Sequence, residues 1–209
     1  MKRDCMFYVA DLNMAETFKG FLTRPQFHQS LGCAAFEFDL LTDIKHAAGI
    51  ADSLHTQAGL LLRDFQTTHK RLVVAQDCAF VGTPGQAKIL DNLTKQLESV
   101  GWATEDFIVL AIDPELEQWI WQDSPHVEAA LNHRSPPSLR ESLQKQGLWL
   151  TDNPKPNNPK KTLQDVAYKN NKRRSSAIYG EIASKVSVKH CVDTEFQRLV
   201  AQLRAWFPA

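Results

Sequence analysis

The stretch Phe107-Ile108-Val109-Leu110-Ala111-Ile112-Asp113-Pro114-Glu115-Leu116-Glu117-Gln118-Trp119-Ile120-Trp121-Gln122-Asp123 decides the reading of this chain. Its first six residues are wholly apolar and read as a buried strand. Three carboxylates, Asp113, Glu115 and Glu117, then fall within five residues. In an open α/β sheet, ligands bind beyond the carboxyl ends of the strands. Like charges crowded there repel one another unless a cation, a basic partner or open water relieves them.

Upstream of this strand, apolar runs alternate with helical spacing. Residues 5–10 read as strand one. Asn13 is placed to cap a helix from about Met14 to Thr23, which Pro25 stops. Residues 33–40 read as strand two, followed by a polar loop with Asp43, His46 and Gly49. Helical spacing covers 51–63, residues 71–75 form strand three, and an amphipathic helix over 86–100 ends at Gly101. This alternation predicts an α/β fold with a mainly parallel four-stranded sheet and helices on both faces.

Downstream, Ser124-Pro125 opens a helix that runs through Leu131. Further helical patterns cover 138–146, 161–169, 175–186 and 193–206, and the Pro/Asn-rich run 152–159 reads as a linker. The expected division is an α/β domain over 1–132 and a helical C-terminal extension over 133–209, with the linker near 151–160.

The 209 residues suffice for a full core, and 43% hydrophobic with 23% charged content is that of a folded domain rather than a disordered one. No apolar run approaches the ~20 residues of a membrane helix, and the N-terminus has no signal-peptide stretch. The cysteines at 5, 33, 78 and 191 form no Cys-x-x-Cys pair, which fits a reducing cytoplasm. Net charge is zero but unevenly spread: from residue 151 onward 11 Lys/Arg stand against 5 Asp/Glu, leaving 13 against 19 before it. A basic tail on an acidic body suits either a polyanion or an acidic partner, or docking of the tail on the body itself.

Acids follow strands one, three and four: Asp11 with Glu16 a turn later, then Asp77, then Asp113, Glu115 and Glu117. A parallel sheet brings these strand ends to one edge. Converging carboxylates suit magnesium, a hard cation that takes oxygen ligands and assists phosphodiester cleavage. Taken singly, the same acids also fit plain roles as helix caps, turn residues or favourable first-turn charges. Lys172, Arg173 and Arg174, with Lys160 upstream, form a basic group able to hold phosphate, or a solvated charged loop. Trp119 and Trp121 read as core residues more readily than as stacking platforms. His28, His55, His69, His133 and His190 lack ligand spacing, and His126 reads as structural. The nucleophile elbow, the Walker loop and the dinucleotide fingerprint are absent, so no nucleotide cofactor is implied.

The order of these motifs resembles the Toprim-like proteins of unknown function from bacterial defence islands, and in particular the small Toprim-like component of methylation-associated anti-phage defence systems. The matching segments are Val9-Ala10-Asp11 with Asn13-Met14, the run from Pro114 to Val127, Pro159-Lys160, and Arg174-Ser175-Ser176-Ala177-Ile178-Tyr179. His46 falls where a His-containing loop of the family would lie. The resemblance implies a Toprim fold in which an acid after strand one serves as acid/base and acids after a later strand bind magnesium. Carried onto this chain, Asp11, Glu16 and Glu117 are candidate catalytic residues. Asp77, Asp113, Glu115 and Glu117 are candidate metal ligands, and Lys160, Lys172, Arg173 and Arg174 candidate phosphate contacts. The chain departs from the family pattern in carrying Asp11 where the family has Glu, and a single acid in Gln76-Asp77-Cys78-Ala79 where the family has two.

Two functions follow as expectations. One is a cytoplasmic component of an anti-phage defence system that cleaves phosphodiesters of DNA or RNA with magnesium. The other is a catalytically inactive Toprim-like adaptor that binds another protein of the system or nucleic acid. Exposed apolar faces in the tail are compatible with a homodimer.

Overall fold

The computed structural model describes residues 2–47, 52–189 and 191–209. The expectations at Gly49, Ala51 and His190 lie outside the described residues. The chain runs β1 (Arg3–Val9), α1 (Leu12–Leu22), α2 (Phe27–Leu31), β2 (Ile44–His46), α3 (Asp52–Leu62), α4 (Phe65–Thr68), β3 (His69–Asp77), α5 (Gln86–Ser99) and β4 (Phe107–Ile112). It continues through α6 (Glu117–Ile120), α7 (Pro125–Ala130), α8 (Leu139–Lys145), α9 (Pro159–Lys169), α10 (Ala177–Ala183) and α11 (Thr194–Trp206). The four strands are all parallel in the order β2-β1-β3-β4, so the α/β expectation holds. Among the described residues no helix is long and apolar enough to cross a membrane.

Alternation along the strands builds two cores. Met6, Tyr8, Leu72, Val74, Val109 and Ala111 face α3 and α5, which contribute Leu54, Ala58, Leu62, Ile89, Leu93 and Leu97. Phe7, Val9, Val73, Ala75, Leu110 and Ile112 point the other way, onto α1 and the helices that follow β4. That second core runs unbroken across residues 132 and 133. Trp119 packs edge-on between Phe18 and Phe196, and Trp121 packs on Trp149. Both tryptophans are therefore core residues. Trp121 Nε1 also donates to the Pro159 carbonyl at 2.8 Å, which fixes the start of α9.

Two local expectations are corrected. Residues 33–40 make no strand, and the second strand is Ile44–His46. The apolar side chains of 33–40 are spent on an aromatic cluster instead, where Phe36 stacks on Phe207 at 4.4 Å and meets Phe27 edge-on. Asp39 then turns the chain, accepting from the Leu41 and Thr42 amides at 2.9 Å. Three residues with one buried side chain are too few to announce β2 by periodicity. The cap of α1 is Asp11 rather than Asn13, with Asp11 Oδ1 accepting the Met14 amide at 2.9 Å. The expected helices over 161–169, 175–186 and 193–206 appear as α9, α10 and α11, with Asn158 and Asp193 capping the first and last.

α10 lies directly against α1. A Cβ at Gly20 would run into the Gly180 carbonyl oxygen and come within 2.9 Å of Ala183 Cβ. A Cβ at Gly180 would sit 3.1 Å from the Glu16 carbonyl oxygen. Arg24, just past α1, donates from Nε to the Ala183 carbonyl at 2.9 Å and from Nη2 to the Val186 carbonyl at 2.5 Å. The Ala183 carbonyl is an orphan of the last turn of α10, and that of Val186 lies in the segment just after it. Burial draws the Arg24 guanidinium down to about 10.

In an ordinary helix interior, Gly→Ala stabilises by up to about 1 kcal/mol. Here Gly20→Ala is expected to destabilise by about 1–3 kcal/mol through overpacking, read as a lower urea midpoint. An unchanged or higher midpoint would show that α1 and α10 separate freely.

Candidate functional site at the carboxyl edge of the sheet

Parallel pairing brings the strand ends together: Val9 pairs with His46 and with Ala75, and Asp77 pairs with Ile112. The β3–β4 ladder continues past the sheet. Cys78 N donates to the Ile112 carbonyl at 2.8 Å, and Ala79 N to that of Pro114 at 2.9 Å. The turn 113–116 is thereby folded over the end of β3, and the Leu116 amide donates to Asp77 Oδ1 at 2.8 Å. One residue later Glu117 opens α6 with only 2% of its surface exposed.

Glu117 Oε1 accepts the Tyr179 hydroxyl at 2.6 Å. Its other oxygen, Oε2, is buried without a hydrogen-bond partner among the described residues. Glu115, beside it, is paired with Lys160 from the first turn of α9. A cation at a helix N-terminus opposes the helix dipole, so the acids rather than the helix hold Lys160 there.

The electrostatics follow from this crowding. Burial, then the charges of Glu117 and Asp11, push the Asp77 carboxyl well above the usual carboxylate range, against Lys160 and the Leu116 amide. Burial also raises Glu117, with Glu115 adding to it while Tyr179, its own backbone amide and Lys160 oppose. The Tyr179 phenol is raised by burial, Glu117 and Asp11, with Arg174 acting against them. Burial pulls Lys160 down, but Glu115 and the other carboxylates outweigh it and its ammonium is held above the ordinary value. Asp77 and Glu117 thus form a coupled pair beside one cation and one phenol. Raised carboxyls of this kind exchange protons nearer neutrality than free ones and suit general acid–base work.

The remaining candidates are dispersed. Asp11 caps α1, and its charge still reaches Asp77 and Tyr179. Glu16 pairs with Lys19 at 2.8 Å on α1. Asp113 is exposed on the rim. Lys172 pairs with Glu181 at 3.3 Å. Arg173 and Arg174 are exposed, with no hydrogen bond or ion pair among the described residues. His46 sits at the end of β2 with Nδ1 3.1 Å from the Ala47 carbonyl oxygen. No group of three or more His, Cys, Asp or Glu placed to hold a metal ion occurs among the described residues.

Sequence reasoning gave Tyr179 no role. In the pattern Ala177-Ile178-Tyr179-Gly180 it looks like one more core position of α10, and only the packing of α10 on α1 turns its hydroxyl onto Glu117. No known protein family, curated protein or solved structure matches the chain.

A carboxyl whose folded value is raised binds its proton more tightly in the native state. Its contribution is fully present below the unfolded value near 4 and is lost as pH rises toward the folded value. Asp77→Asn removes this dependence. In EDTA, the melting temperature of Asp77→Asn is expected to gain on wild type as pH is raised from about 4 to 7. A difference that stays flat with pH would contradict the raised carboxyl.

Proposed function

We propose that this chain is a cytoplasmic component of a bacterial anti-phage defence system whose Toprim-like carboxyl edge processes nucleic-acid phosphodiesters. The observation that carries the reading is Glu117: almost wholly buried, one oxygen fixed by Tyr179, the other without a partner, beside the raised carboxyl of Asp77. A buried polar atom left unpartnered costs stability, and sites that keep such atoms are frequently functional. The motif order around Asp11, Asp77 and Pro114–Val127 supports the same reading.

The donor set fits magnesium in one respect. That ion is commonly held by one or two carboxylates, waters and substrate phosphate rather than by a full protein cage. Asp77 and Glu117 would hold it, with Asp113 at the rim; Glu115 is engaged by Lys160. When bound, magnesium supplies charge to the phosphate and acidity to a water. Tyr179 orients Glu117 for either proton transfer or ligation, and Lys160 offsets the carboxylate charge that would repel a phosphate. Asp77, which holds its proton more tightly than usual while no ion is bound, would release it on ligation, and Asp11 tunes that affinity by charge.

A second reading is favoured by a different observation. Glu115 and Glu117 are already engaged by Lys160 and Tyr179, both from the C-terminal helices. An edge closed by its own tail suits a Toprim-like adaptor that binds another component of the system.

Glu117→Gln separates the two. On the enzymatic reading, wild type binds magnesium or manganese saturably by calorimetry. The variant loses that binding and at least about 100-fold of the cleavage rate, with an unchanged circular dichroism spectrum. If wild type neither binds the ions nor cleaves single- or double-stranded DNA or RNA in their presence, the enzymatic reading is wrong. The adaptor reading then predicts that the variant is altered only in binding its partner.

A further inference from the structure

α9 buries Thr162, Leu163, Val166 and Ala167 and turns its other side to solvent. On that side stands Tyr168, an aromatic ring 85% exposed. The helix ends immediately afterwards in a Schellman motif. Lys172 N donates to the Ala167 carbonyl at 2.8 Å and Asn171 N to that of Tyr168 at 3.1 Å, with Asn171 in the left-handed conformation at φ 52°. This fold-back fixes the backbone of the basic run against the last turn of α9. Tyr168, Asn171, Lys172, Arg173 and Arg174 therefore line one surface cleft of about 530 Å³. The one acid on its wall, Asp165, is paired with Lys161 at 2.5 Å. Arg173 and Arg174 carry charge that no described residue neutralises.

We propose that the cleft at the α9–α10 corner binds single-stranded nucleic acid, with a base stacked on Tyr168 and adjacent phosphates held by Arg173, Arg174 and Lys172. An exposed aromatic beside unpaired guanidinium groups matches a strand whose bases are splayed and whose backbone is anionic. A duplex hides the base faces and offers the ring nothing. The cleft adjoins the helix that serves the acid edge, since Arg174 on its wall lies five residues before Tyr179, whose hydroxyl rests on Glu117. In this respect the inference rests on the proposed function, because it names the form of nucleic acid which that edge receives.

The test is fluorescence anisotropy in EDTA with labelled 20-nucleotide oligo-dT, oligo-rU and a duplex of the same length. Without magnesium, a failed metal site leaves the measurement untouched, and retained binding with no cleavage would count against the acid edge alone. Expected is saturable binding of at least one single strand, tighter than of duplex. Tyr168→Ala should weaken it about tenfold or more while Tyr168→Phe keeps it. The double variant Arg173→Glu, Arg174→Glu should flatten the salt dependence by about 1.4 in the slope of log affinity on log salt. All three side chains changed are exposed, so folding is not at stake. Absent binding, equal or tighter duplex binding, or an unaffected Tyr168→Ala would each overturn the proposal. The oligo-dT and oligo-rU arms decide between DNA and RNA.

Discussion

The site depends on the close approach of α1 and α10. Gly20 and Gly180 carry no side chains at the crossing, so the helix backbones meet where any Cβ would intrude. Arg24 ties down the end of α10 and the segment after it by taking the Ala183 and Val186 carbonyls. α1 is in turn anchored on the sheet through Met14, Phe18 and Phe21 in the core. Tyr179 immediately precedes Gly180, so the depth of the crossing sets how far its hydroxyl reaches toward Glu117. α6, which presents Glu117, has only four residues and could not hold that geometry alone. It is locked by Trp119, whose Nε1 donates to Asp193 Oδ1 at 2.8 Å while Asp193 caps α11. The residues that touch the site are few, but the helices that aim them are most of the C-terminal third of the chain.

The charge asymmetry of the sequence finds a physical expression in this arrangement. A parallel sheet delivers its strand-end acids to one edge whether or not they are wanted there, and they raise one another's proton affinity. Lys160, Tyr179 and Arg174, which oppose that repulsion, all lie after residue 151, in the basic part of the chain. Docking of the tail on the acidic body is therefore visible at Lys160 and Glu115. It leaves Arg173 and Arg174 without an ion pair among the described residues, so docking and polyanion binding are compatible within one tail.

Much of this fold was legible in the sequence because its signals were local. β3 and β4 are continuous apolar runs, α5 has a regular apolar stripe closed by Gly101, and Ser124, Ser138, Asn158 and Asp193 sit where caps must sit. Residues 33–40 misled because alternation marks a face that is buried, not a backbone that is paired. Phe36 and Phe38 bury that face against Phe27 without joining the ladder. At the site, the acids after β3 and β4 could be read from strand position alone. Tyr179 could not, since its partner lies 62 residues away and its role arises from a helix crossing. Tyr168 was equally hidden, because an aromatic within a helix is usually buried and only packing tells which face it occupies.

The other buried carboxylate of the sheet supplies an internal comparison. Asp43, at the amino edge, is fully buried and fully partnered. Its oxygens accept from Arg3 Nε at 2.5 Å, Arg3 Nη2 at 2.6 Å and the Asp39 amide at 2.8 Å, and His69 Nε2 lies 3.1 Å away. Burial alone would raise it, but Arg3, the Asp39 amide and His69 outweigh burial and hold it below the usual range. That is how this fold treats a carboxylate whose task is to tie β1, β2 and β3 together. Glu117, as deeply buried, receives one phenol and keeps one oxygen bare, and its proton affinity goes up instead of down. Burial raises both carboxyls, and at Asp43 the partners the chain provides are enough to reverse its effect. A chain able to satisfy Asp43 fully at one end of its sheet leaves Glu117 half satisfied at the end where ligands of parallel sheets bind. Packing has supplied that carboxylate with a partner for one oxygen and none for the other.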